Sequence, residues 1–130
     1  MPYGGLSRLN AVTFAQDGAS RVYILQMFDK FGITEAMKPK LVLEQGSTRA
    51  NARVADGSAE MILTLVSEIL PAKGVQLVGP LPWDVQNYVN FAAGISAANK
   101  DANAAKRLMK FLSSSAAGPA LKSMGMERPR

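Results

Sequence analysis

Two short stretches place small and hydroxyl-bearing residues where a helix should follow a strand. They are Gly18-Ala19-Ser20 within FAQDGASRVYIL, and Ser47-Thr48-Arg49 just after KLVLEQG. At a helix start the first backbone N–H groups have no intrahelical partner and converge on a point that favours an anion. Both stretches are therefore candidate contacts for a small anion or polar solute. The same residue types also serve as ordinary caps, Asp17 or Ser20 for the first helix and Ser47 for the second, and both readings stand. Asp17 bears on the choice, because a carboxylate beside a helix start can satisfy the N–H groups itself and repel an anion. Arg49 and Arg53 lie four apart and share a face, as a solvated surface or as ligand counter-charge. Glu68 with Asp84 or Glu44 is the one combination that resembles an acid–base pair, and no companion motif accompanies it. Trp83, between two proline-marked turns, reads either as a contact residue or as cover for the core.

The composition narrows the chemistry further. The chain has no cysteine, which removes disulfides, thiolate metal sites and cysteine nucleophiles. It has no histidine, which removes the commonest general base and metal ligand together. We therefore expect no catalytic activity, no cofactor and no metal. At 130 residues, with 48% hydrophobic and 19% charged residues, the chain suits one compact soluble domain. Net charge is +5 and the pI about 9.8, which raises nucleic acid as a partner. Its basic residues read as scattered, however, with no arm or aromatic-interleaved stripe, so nucleic-acid binding is not expected. No apolar run reaches the ~20 residues of a membrane span, so no membrane insertion is expected. The opening MPYGGLSRLN lacks the apolar stretch of a signal peptide, which leaves a cytoplasmic location open.

The elements that must position these residues alternate. Strands are expected at 11–15, 40–45, 60–66 and 75–80, and a long one at 86–98 with a bend at Gly94. Helices are expected at 20–31, stopped by Gly32, and after Ser47, closed by Gly57. A further helical turn ends at Pro39, and SEILPAKG forms a turn or short helix. Asp101 should cap a helix running to about Leu112, and a last helix begins at Ser114 or Ser115. Such alternation predicts an α/β layer fold with a mostly parallel sheet flanked by helices. In such sheets ligands collect beyond the C-terminal strand ends, where both hydroxyl-bearing stretches would lie.

A longer pattern runs through the second half of the chain: Ser67-Glu68-Ile69-Leu70-Pro71, Gly74-Val75, Val78-Gly79-Pro80-Leu81-Pro82, Ala93-Gly94-Ile95-Ser96, Lys100-Asp101, Phe111-Leu112 and Gly125-Met126-Glu127. In order and spacing it resembles the extracellular solute-binding proteins of ABC transporters, in the molybdate-binding-like group of the type 2 periplasmic fold. The resemblance implies two α/β lobes that clamp a small ligand, often an oxyanion, and a chain equivalent to the C-terminal half of such a protein. It implies a disordered or extended segment at 1–10, the second lobe at 11–85, and a crossover strand with C-terminal helices at 86–130. It also implies a periplasmic location and an ABC permease as partner. By position in the pattern, the lobe's share of the ligand falls to Gly18, Ala19 and Ser20, to Ser47, Thr48 and Arg49, and to Leu65 and Ser67. Relatives often carry a Tyr or Gln where Leu65 stands. The helices after the crossover keep apolar residues that require burial, Leu108, Met109, Phe111 and Leu112 with Leu121 and Met124, so a homo-oligomer, a dimer above all, is expected. The alternative is a non-binding structural or interaction remnant that self-associates.

Overall fold

The β-rich run VTFA is short and apolar enough to be covered on both faces, and in the computed structural model it is the central strand. The structure describes residues 4–128 and forms two compact units, Met1–Asn87 and Tyr88–Arg130. In the first unit α1 (Gly4–Arg8) leads into β1 (Val12–Ala15), all four residues of which are buried. Next come α2 (Arg21–Lys30), α3 (Thr34–Met37) and a 3₁₀ turn (Lys38–Lys40) that carries Pro39. Then follow β2 (Leu41–Glu44), α4 (Ser47–Ala55), β3 (Met61–Ile62) and α5 (Val66–Ile69). The sheet order is β2-β1-β3 and both pairings are parallel, with Val12 opposite Leu41 and Met61. This is the α/β layer arrangement that the strand–helix alternation predicts, consistent with a single lobe of a solute-binding fold.

The core follows from the pleat. Val12 and Phe14 pack with Ile24, Met27 and Phe28 of α2 and with Met37 and Leu63. α4 also packs on β1, and its buried residues are the small Ala50 and the polar Asn51. Glycines end three helices where expected: Gly32, Gly57 and Gly125 all have positive φ, which lets the chain leave the helix without a Cβ clash.

In the second unit α6 (Ala102–Leu112) starts at Asp101, whose side chain accepts from the backbone N–H groups of Asn103 and Ala104. A 3₁₀ turn (Ser115–Ala117) and α7 (Gly118–Ser123) complete it. Ala117 is its one fully buried apolar residue among those described.

Four sequence expectations differ from the structure. The strands expected at 75–80 and 86–98 do not form among the described residues, and 70–101 carries no helix or strand. The alternation of Val and aromatic residues there reports a surface fit for pairing, but a strand also needs a hydrogen-bonded neighbour, and these residues pair with none of the three strands. The strand expected at 60–66 stops at Ile62, because from Val66 the backbone is already helical. The first helical residue of α4 is Ser47, and the cap is Gly46, at φ 77°, so the cap lies one residue earlier than expected. Finally, α1 occupies part of the 1–10 segment expected to be extended or disordered, while residues 1–3 of that segment, like 129–130 of the last, lie outside those described.

Candidate functional site

Parallel pairing sends β1, β2 and β3 out through one edge, so α2, α4 and α5 all begin there. The stretches Gly18-Ala19-Ser20, Ser47-Thr48-Arg49 and Leu65 to Ser67 are the connections and first turns at that edge. The topology thus brings the sequence-predicted residues to one side of the domain.

The first connection is tight. Gly18 N–H donates to the Ala15 carbonyl at 3.1 Å, and Arg21 N–H donates to the Gly18 carbonyl at 3.1 Å. A Cβ on Gly18 would stand 3.1 Å from the Ala15 Cβ and 3.2 Å from its carbonyl oxygen, so a side chain there would require the turn to give by a few tenths of an ångström. Of the N–H groups at the start of α2, that of Arg21 is spent inside the turn. Neither Asp17 nor Ser20 caps α2: Ser20 sits at the cap position with no side-chain cap bond. Asp17 reaches across to the second connection, where its Oδ1 accepts from Gly46 N–H at 2.8 Å. A carboxylate thus already stands at the positive end of α4.

The second and third connections are joined by a residue that sequence reasoning missed. Asn51 is 5% exposed, and its Nδ2 donates to the Ser47 carbonyl at 3.0 Å and to the Glu68 carbonyl at 3.1 Å. That amide ties the first turn of α4 to α5. Its Oδ1 is buried without a partner among the described residues, as is the hydroxyl of Thr13 on β1. One signal for Asn51 was available: it stands four residues after Ser47, in a helix whose other inward residue is Ala50.

The charged groups of this edge are mostly spent. Arg53 holds Glu44 through Nε at 2.6 Å and a second guanidinium nitrogen at 2.5 Å. The Thr64 hydroxyl donates to Glu68. At the far end of α2, away from this edge, Lys30 Nζ donates to the Asp84 backbone carbonyl at 2.8 Å. Glu44 thus faces Arg53, and Glu68 faces Thr64. The carboxyls held below the usual range, Asp56 by the Ser58 hydroxyl and N–H and Glu60 by the Asn10 side chain and N–H, lie after α4 and before β3, at the opposite edge. No group of three or more metal-ligating side chains occurs among the described residues.

What the edge keeps unspent is a set of hydroxyls. Ser20, Ser47, Thr48 and Ser67 make no side-chain hydrogen bond among the described residues, and Arg49 is exposed beside them in sequence. A separate shallow cavity of about 160 Å³ lies along α2, lined by Tyr23, Gln26, Met27, Lys30 and residues 84–87. It contains none of the predicted site residues and is smaller than ordinary small-molecule pockets.

A family profile, bacterial extracellular solute-binding protein, matches residues 8–127. The chain belongs to the bacterial extracellular solute-binding proteins. No curated protein and no solved structure matches it. In open α/β sheets ligands collect in the crevice beyond the C-terminal ends of the strands. No helix among the described residues is long and apolar enough to cross a membrane.

Proposed function

We propose that the sheet edge of this domain is one wall of a solute site, and that its ligand is a small polar or anionic molecule, with molybdate-like oxyanions as the class to test first. The observation that carries this is the gathering of three helix starts at one edge with the hydroxyls of Ser20, Ser47, Thr48 and Ser67 unspent. Hydroxyls both donate and accept, so such a wall suits a ligand rich in oxygen. Gly18 and Ala19 contribute backbone, Arg49 a counter-charge, and Leu65 only shape. Asp17 already serves the Gly46 N–H, so an anion is better accommodated at the α2 start than at the α4 start.

One α/β unit gives one wall. Binding to it alone is weak, because a cleft needs two walls to exclude water from the charge contacts. In the reading drawn from the resemblance, the second wall comes from a facing lobe, and the loaded pair works outside the cytoplasm beside an ABC permease. No catalysis is involved.

Thermal denaturation against a panel of oxyanions, sugars and amino acids tests this reading. A ligand at a hundred times its dissociation constant adds about 2.7 kcal/mol of stability, a clear rise in Tm. Ser20→Ala with Ser47→Ala should reduce the rise for any hit. A hit whose effect survives that double change would place the site elsewhere, and an absence of hits would remove the solute reading for the isolated domain.

A further inference from the structure

Asp17 joins two of the connections at the sheet edge. Its backbone lies between β1 and α2, and its Oδ1 accepts from the N–H of Gly46, between β2 and α4, at 2.8 Å. That bond leaves Oδ2 without a partner among the described residues, on a side chain exposed to solvent. A ligand that touches both Ser20, three residues after Asp17, and Ser47, next to Gly46, lies against this carboxylate.

Hydrogen-bonding capacity decides what such a ligand must bring. A carboxylate only accepts, whereas the hydroxyls of Ser20, Ser47, Thr48 and Ser67 donate or accept as the partner requires. A second acceptor also lacks a donor: Asn51 Oδ1, in the second turn of α4, on a side chain 5% exposed. Ligand oxygens without protons leave such acceptors unserved. Sulfate and molybdate are acceptors only near neutral pH. Set against Asp17, each meets oxygen with oxygen and like charge with like charge, and it displaces the water that would serve Oδ2. Phosphate keeps at least one proton in the same range. It donates that O–H to Oδ2 in a charge-assisted hydrogen bond, while its other oxygens accept from the hydroxyls and from Arg49.

We infer that Asp17 selects among oxyanions, and that the ligand class of this edge is a tetrahedral oxyanion that still carries a proton, phosphate rather than sulfate or molybdate. The inference rests on the solute-wall reading above and narrows it. Asp17 is exposed, so water weakens both the attraction and the repulsion. The preference is then that of a single hydrogen bond to a charged group at the low end of its range, about tenfold.

Titration of the full chain followed by amide NMR, with tetrahedral dianions of matched charge at about pH 8, tests it. Inorganic phosphate keeps one proton there. Sulfate, molybdate and methyl phosphate keep none, since a phosphate monoester loses its last proton at about pH 6. Phosphate should bind about tenfold tighter than sulfate, and methyl phosphate should fall with sulfate. Asp17→Asn retains the oxygen that Gly46 N–H requires and turns the second position from acceptor to donor. In that variant phosphate and sulfate should bind within about twofold of one another, or sulfate the tighter. Ser47→Ala removes a hydroxyl and keeps the carboxylate, so it should weaken both and leave their ratio. Circular dichroism checks the fold of each variant, and if Asp17→Asn unfolds, methyl phosphate against phosphate on the unchanged chain carries the comparison. Equal binding of phosphate and sulfate by the unchanged chain would overturn the inference and leave the solute-wall reading in place. So would methyl phosphate as tight as phosphate, or a preference that survives in a folded Asp17→Asn protein. No binding of any oxyanion would remove both readings together.

Discussion

Asp17→Asn probes the sheet edge most directly, because the Asp17 carboxylate stands 2.8 Å from Gly46 N–H at the head of α4. An anion held at this edge is repelled by that charge, and a separation on the order of 5 Å serves to scale the effect. Two unit charges at that distance repel by roughly 0.8 kcal/mol in a water-like medium and about 3 kcal/mol at an effective dielectric constant of 20. Asp17 is exposed, so the lower end applies. Removing the charge should tighten an oxyanion by about 1 kcal/mol, or roughly fivefold. The asparagine oxygen can still accept from Gly46 N–H, so the fold loses only the charge-assisted part of one exposed hydrogen bond, about 0.5–1 kcal/mol. Calorimetric titration with molybdate and sulfate, and with a neutral sugar as control, reads both. Affinity for the oxyanions should rise while that for the neutral solute stays level. Unchanged or weaker oxyanion binding by a folded Asp17→Asn protein would refute the placement of the anion at this edge.

Other substitutions test the framework around it. Asn51→Leu removes the amide that the Glu68 carbonyl accepts from and that the Ser47 carbonyl shares, and should cost about 1–2 kcal/mol in urea unfolding; a loss below about 0.5 kcal/mol would show that the tie between α4 and α5 is not structural. Thr13→Val removes a fully buried hydroxyl that has no partner, and stability should hold or rise by up to about 1 kcal/mol. Gly74→Ala adds a Cβ 3.0 Å from the Ala55 Cβ on a backbone at φ 77°, and a drop of about 1–2 kcal/mol is expected. Glu60 is held below its ordinary range by Asn10, so its contribution is complete above the ordinary carboxylate value and is lost as pH falls through the lower folded value. Glu60→Gln should therefore lose that contribution at neutral pH, converge with the parent protein in acid, and so flatten the acid limb of the stability profile below about pH 4.

Much of the fold was legible because its signals are local. A glycine must follow a helix that ends in the left-handed region, and Gly32, Gly57 and Gly125 do. Asp101 caps α6 through N–H groups two and three residues ahead, within reach of its own side chain. Strand–helix alternation fixed the parallel sheet, since parallel neighbours need a crossover between them. That α2, α4 and α5 begin at one edge follows from the same rule, so the location of the candidate site was readable too.

What the sequence did not show depends on which distant residues meet. The expected strand at 86–98 had the right residue types, but β propensity describes a surface that can pair and not the neighbour it pairs with. Asp17 looked like a cap for the helix three residues ahead. It serves Gly46 instead because the β1–β2 register sets Ala15 beside Glu44 and joins Gln16 N–H to the Glu44 carbonyl, which carries residue 17 alongside residue 46. Asn51 needed the same knowledge, since its second acceptor, Glu68, lies 17 residues away. Capping and turns act over a few residues and are written in the chain; register and the boundary between units are set by long-range packing, which only the tertiary structure decides.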